Sequence, residues 1–98
     1  MKIELDEATL KCAIDTFGAA SQVDMVIEEC AELTDALMKY RRGRVGVNEV
    51  VTEIADVQIM CAQLEMIFGG ASKIVEMERL RKMDRLRDRI AKYESEHA

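Results

Sequence analysis

Proline and tryptophan are absent from this 98-residue chain, and aromatic residues make up only 4% of it. Without proline, no helix is interrupted from within. Five glycines occur, Gly43, Gly46, Gly69 and Gly70 among them, and few other residues favour turns. That poverty argues against hairpin-rich β architectures, which need a turn every few residues. The only histidine is His97, and the three cysteines, Cys12, Cys30 and Cys61, are odd in number and form no CxxC pair. A disulfide framework and a structural zinc site are therefore both excluded. The thiols are expected to be reduced and to serve mostly as core filler, which fits the cytoplasm. No apolar run of 18 residues exists, so no membrane span is expected. The opening segment MKIELDEATL has no apolar stretch suited to a signal peptide.

Strong helix formers (Ala, Leu, Met, Glu, Lys and Arg) dominate what is there. The reading is all-α, with residues 1–98 forming a single small domain. A chain this short hides only about 60–65% of the surface its unfolded form exposes. Yet 49% of its residues are hydrophobic, so self-association is expected to cover the remainder. The net charge is −5, which does not suggest a nucleic-acid partner. Its distribution is uneven: Arg79–Lys92 carries seven basic residues against Asp84 and Asp88, and the rest of the chain is acidic. Such separation suits a cation held at one place and a phosphate at another.

Four helices are predicted. The first runs from an N-cap at Asp6 to Phe17, with Gly18 as its stop. The second opens near Ser21, where Ser21 and Asp24 have capping-box spacing, and continues to Tyr40. A basic loop, residues 41–46, leads to a third helix capped by Asn48 and ending at Phe68. Gly69-Gly70 breaks it, and the fourth runs from Ser72 toward Ser95. Connections this short make neighbours antiparallel, so a helical bundle is expected. The third helix has a second apolar face, including Val51, Ile59 and Met66, and is expected to pack against another subunit.

At 100° per residue, Val26, Cys30, Leu33, Leu37 and Tyr40 form an apolar stripe on the second helix. Val50, Ile54, Val57, Cys61, Leu64 and Phe68 do so on the third. Shifting one pattern by 24 positions superposes the stripes, with Glu29 on Glu53 and Glu32 on Asp56. Each acid immediately precedes a stripe residue, which places it at the stripe's margin. Acids at i and i+3 lie about 5–6 Å apart, so two carboxylate pairs are expected to converge beside the helix interface. Like charges in a partly dry groove repel and lose hydration, and a hard divalent cation offsets both effects. Oxygen ligands without histidine or thiolate select Mg²⁺, with Mn²⁺ also compatible.

The motif Glu28-Glu29-x-x-Glu32, followed after 20 residues by Glu53-x-x-Asp56, resembles the paired acid motifs of the MazG-like all-α nucleoside triphosphate pyrophosphohydrolases. The flanking EECAELTDAL, EIADVQIM and LRKMDRLRDRI are similar too, so that the resemblance covers residues 23–92. It implies a four-helix subunit whose bundle is completed in a homodimer or homotetramer. It also implies Mg²⁺-dependent cleavage of (deoxy)nucleoside triphosphates to monophosphate and pyrophosphate. By motif position, Glu29, Glu32, Glu53 and Asp56 would be metal ligands. Glu28 would orient the attacking water or serve a second metal, and Glu28 and Glu29 would be the catalytic pair.

A reaction of that kind needs basic groups for the leaving pyrophosphate. Lys82, Arg85 and Arg89 share one face of the fourth helix and are the candidates, with Lys73 and Arg42 behind them. The same face could instead carry ordinary surface ion pairs, Arg85 with Asp88 and Asp88 with Lys92. Phe17, Tyr40, Phe68 and Tyr93 could stack on a base, although core packing is the more usual role for an aromatic ring. Phosphoribosyl-ATP pyrophosphohydrolases share the acid motifs but carry a histidine soon after the second, where this chain has Val57-Gln58-Ile59-Met60. A non-catalytic helical interaction protein is the alternative of another class, supported by the coiled-coil spacing of Met83, Leu86, Ile90 and Tyr93.

Overall fold

The computed structural model describes residues 4–98. Met1, Lys2 and Ile3, the start of the segment read above for a signal peptide, lie outside the described residues. Four helices follow in order: α1 (Glu7–Phe17), α2 (Ala19–Arg41), α3 (Val47–Ile67) and α4 (Ser72–Glu96). No strand occurs among the described residues, and none of these helices is long and apolar enough to cross a membrane.

Asp6 caps α1 as its position predicts. Its carboxylate accepts hydrogen bonds from the Ala8 and Thr9 backbone N–H groups at 3.1 and 3.3 Å and from the Thr9 hydroxyl at 2.7 Å. Gly18 ends α1, its N–H donating to the Ile14 carbonyl, and it is also the residue before α2. The expected capping box at Ser21 and Asp24 is not formed, because α2 begins two residues earlier, at Ala19, and carries both positions within its first turns. Asn48 likewise sits inside α3 rather than capping it, and Gly46 occupies the cap without a side-chain bond.

Gly18 has φ 89° and ψ 145°, a combination that side chains with a Cβ rarely adopt. A Cβ added there would meet nothing within 4 Å, so the cost of Gly18→Ala is purely conformational. The substitution is expected to destabilise the chain by about 1–3 kcal/mol. Gly46→Ala, at φ −91°, carries no such strain; its poorer cap is set against the entropy it removes from the unfolded chain, so it should cost less than Gly18→Ala. Urea unfolding of the two variants side by side checks the contrast.

The core is a seam between antiparallel α2 and α3, with α1 laid against both. Among the described residues the buried hydrophobic ones are Leu10, Val26, Ala36 and Met60, together with Gln22 and Gln63, and no large side chain is wholly shielded from solvent. The stripe residues divide. Val26, Leu33, Val50, Val57 and Leu64 turn inward, whereas Cys30, Leu37, Tyr40, Ile54, Cys61 and Phe68 are exposed. The inward edge of α2 runs through Gln22, Val26, Glu29, Leu33 and Ala36, about one residue round the helix from the apolar stripe.

Two expectations are corrected by this. The cysteines are not core filler, since all three are exposed. Nor are the aromatics packed inside: Phe17, Tyr40, Phe68 and Tyr93 are all exposed. The Tyr93 ring instead stacks on His97 at 3.9 Å.

Helix α4 departs furthest from a closed bundle. It packs only against α3 and makes no contact with α2, and every residue from Ser72 onward is exposed. The radius of gyration is 16.8 Å, against about 13 Å for a compact chain of this length.

Candidate metal centre

Three of the acids lie in the seam between α2 and α3. Glu29, Glu53 and Asp56 are half-buried, and each offers a carboxylate oxygen within 4.8 Å of the others. Helical geometry explains the meeting. Glu53 and Asp56 are one turn apart on α3, and Glu29 lies on the edge of α2 that faces them. Glu32, one turn after Glu29, is exposed and stands outside this trio. It is nevertheless the leading like-charge neighbour of both Glu29 and Glu53. Glu28 points away from the seam and is exposed.

Desolvation, followed by repulsion from Glu32 and Asp56, raises the Glu29 pKa from 4.5 to about 7. The same causes, desolvation first, hold Glu53 above the ordinary carboxylate range. One oxygen of each, Glu29 Oε2 and Glu53 Oε2, is buried with no hydrogen-bond partner. No basic side chain figures among the influences on either group. Acidic residues are common on helices, but they ordinarily point into water. A buried, unpartnered carboxylate oxygen costs free energy, and these two occur beside further negative charge.

This donor set fits Mg²⁺ or Mn²⁺. It is all oxygen and acidic, and such an ion keeps water or phosphate oxygens in its remaining positions. Glu29, Glu53 and Asp56 are the residues that would hold the ion directly, and the Glu32 carboxylate lies against both Glu29 and Glu53.

The basic candidates are not at the centre in a single chain. Lys82, Arg85 and Arg89 lie on α4, which does not touch α2. Lys73 is in the first turn of α4, and Arg42 is the cap residue at the end of α2. The ion pairs on α4 are Glu78–Arg81 and Asp84–Arg87, both at 2.6 Å. Neither of the pairs expected at Asp88 forms among the described residues, and Lys82, Arg85 and Arg89 are in no ion pair there.

Two seam residues escaped the reading of the sequence. Gln22 and Gln63 are more deeply buried than any hydrophobic side chain, at 6% and 5% exposure, and Gln63 Oε1 has no partner. They lie seven residues before Glu29 and seven after Asp56, or about 10 Å along each axis. That two-turn spacing was the available signal: it places each amide on the face that carries the acids. Comparison with protein-family models, with curated proteins and with solved structures finds no match to this chain.

Proposed function

We propose that this chain is a Mg²⁺-dependent nucleoside triphosphate pyrophosphohydrolase of the MazG-like kind. It would release a nucleoside monophosphate and pyrophosphate and act as a homodimer or homotetramer in the cytoplasm. The observation that carries the reading is the meeting of Glu29, Glu53 and Asp56 between two helices, with buried carboxylate oxygens that lack any partner. Such a site is unfavourable as a purely structural feature and becomes favourable around a divalent cation. The acid motifs that resemble the family supply the same residues.

When bound, Mg²⁺ supplies charge neutralisation at the phosphates and a more acidic water. The chain's own part is divided. Glu53 and Asp56, one turn apart on a single helix, give a rigid pair of ligands. Glu29 would reach the ion from the facing helix, and as the acid nearest Glu32 and Asp56 it would also be placed to accept a proton from a bound water; the desolvation and repulsion that raise its pKa in the metal-free chain are what a bound cation would relieve. Glu32, exposed but already against Glu29 and Glu53, would be the fourth ligand, on the solvent side. Glu28, directed away from the seam, fits an outer role, toward a second ion or a water that reaches the centre from solvent.

The test is incubation with Mg²⁺ and a panel of NTPs and dNTPs, with products separated by anion exchange. Monophosphate and pyrophosphate are the expected products. Diphosphate and orthophosphate would place attack at the γ-phosphate and rule the mechanism out. A non-catalytic interaction protein is the second reading, favoured by the exposed seam of α4. It gains if no nucleotide is turned over and Mg²⁺ leaves the melting temperature unchanged.

A further inference from the structure

The seam between α2 and α3 is graded in chemistry along its length. Glu29 and Asp56 meet in it. Because the helices are antiparallel, equal steps away from these two reach the same level. Seven residues back along α2 and seven on along α3 bring Gln22 level with Gln63, about 10 Å from the acids. Between the amides and the acids lie Val26 and Met60, both buried. In the other direction, seven residues beyond Glu32 and on the same strip of α2, stands Lys39.

Packing alone accounts for neither end. The two glutamines are more deeply buried than any hydrophobic residue, yet Gln63 Oε1 has no hydrogen-bond partner among the described residues. An orphaned buried acceptor is costly, and a leucine would serve packing better at either position. At the far end, residues 39–44 hold four basic residues and no acid, in a chain of net charge −5. Cations at a helix C-terminus commonly answer the last carbonyls. Here the Met38, Lys39 and Tyr40 carbonyls already accept backbone N–H groups from Arg42, Gly43 and Arg44. The bond from Arg44 N–H to the Lys39 carbonyl, at 2.9 Å, brings Arg44 back beside Lys39. The ion pair between Lys39 and Asp35 is solvent-exposed, of a kind that contributes little, so the ammonium is free for a stronger anion. The Glu49 charge bears on both Lys39 and Glu53, so the basic end adjoins the acids.

A nucleotide presents the same order of groups: the hydrogen-bonding edge of the base, the apolar faces of base and sugar, the α-phosphate, then the terminal phosphates. We propose that a nucleoside triphosphate lies along this seam, with its base edge at Gln22 and Gln63 and its terminal phosphates toward Lys39 and Arg44. This orientation rests on the pyrophosphohydrolase reading and adds to it the direction of the substrate and the residues at its two ends. Carboxamides match the donors and acceptors of a base edge, and Gln63 Oε1 needs a donor such as a ring N–H or an exocyclic amine. The base reaches the amides by displacing part of α1. That helix lies against both α2 and α3, turns into α2 at this end, and has Leu10 as its buried residue. Reversed, the substrate would press its phosphates on an uncharged, buried end and leave the cations unused.

Calorimetric titration of the full chain in Mg²⁺ tests the direction. The probes are the nucleoside monophosphates of the five common bases, ribose 5-phosphate, which lacks a base, and inorganic tripolyphosphate, which lacks base and sugar. The parent should bind its preferred monophosphate about tenfold or more tighter than ribose 5-phosphate. Gln63→Leu should abolish that difference and bind tripolyphosphate as the parent does. Lys39→Ala should lose about tenfold in tripolyphosphate affinity and keep the base preference. Circular dichroism confirms the fold of each variant, and Gln22→Leu repeats the test should Gln63→Leu fail to fold. A base preference that survives both glutamine variants, or a parent indifferent to the base, overturns the proposal. So does a pair of variants that weaken every probe alike. Turnover is scored separately. Binding as expected with no triphosphate cleaved would sink the pyrophosphohydrolase reading while the direction of binding stood; cleavage with a base preference untouched by Gln63→Leu would do the reverse.

Discussion

Replacing Glu53 by Gln is expected to reduce Mg²⁺-dependent turnover by about 100-fold or more, and at the same time to make the metal-free protein more stable. The first effect follows from losing one of three oxygens placed to hold the ion, since even indirect supports of a metal ligand are worth about 10–100-fold. The second follows from the cost of the site when empty of cation. Glu53 Oε2 is buried without a partner, and desolvation with repulsion from Glu32 and Asp56 opposes its ionisation. A neutral amide of the same shape removes the charge and adds two donors, which neighbouring carboxylates can accept. An acid that served only the fold would give the opposite sign, because its loss would lower the melting temperature. Turnover assays and thermal melts of the same preparation decide between them. A stability that falls in Glu53→Gln, with activity retained, would remove the residue from the centre.

The stability of the metal-free chain should decline as pH rises through neutrality. Glu29 titrates near 4.5 when unfolded and at about 7 in the folded chain. Across that window the native state binds more protons than the unfolded one. The contribution is therefore fully present below about pH 4.5 and is lost as pH rises through about 7. Melting temperatures measured with a chelator should fall by several degrees between about pH 5 and about pH 8, where 1 kcal/mol corresponds to roughly 4–8 °C in a domain this small. Glu29→Gln should flatten that dependence. Added Mg²⁺ should raise the melting temperature most at the alkaline end, where the carboxylates are ionised and bind it best. A pH profile identical in parent and variant would show that Glu29 is not the group responsible.

The helices and the partners of Glu29 were legible in the sequence for a simple reason. Acids three apart on a helix share a face whatever the tertiary structure, and short connections leave antiparallel neighbours little freedom. The depth of the acids was harder to read. An apolar stripe reports all the surface a helix must hide, inside the subunit and outside it together. Here Leu33 and Val57 meet the subunit's own core, whereas Leu37, Ile54 and Cys61 face outward. The true seam is rotated by about one residue, which puts Glu29 and Glu53 inside it. The start of α2 was misplaced because Ser21 and Asp24 carry a capping pattern, while the deciding residue, Gly18, exerts its effect through a φ that only the folded backbone reveals. The separation of α4 left no mark at all: Leu86 and Ile90 would repeat at the same spacing whether they faced α2 of their own chain or of another.

A chain that buries just Leu10, Val26, Ala36 and Met60 among the hydrophobic side chains of its described residues has little to set against the entropy of ordering its backbone. For such a chain, folding and meeting a neighbour are expected to be parts of one equilibrium, so that dilution acts as a denaturant. The melting temperature should rise with protein concentration, and a cell making few copies would hold a larger fraction of them unfolded than a cell making many.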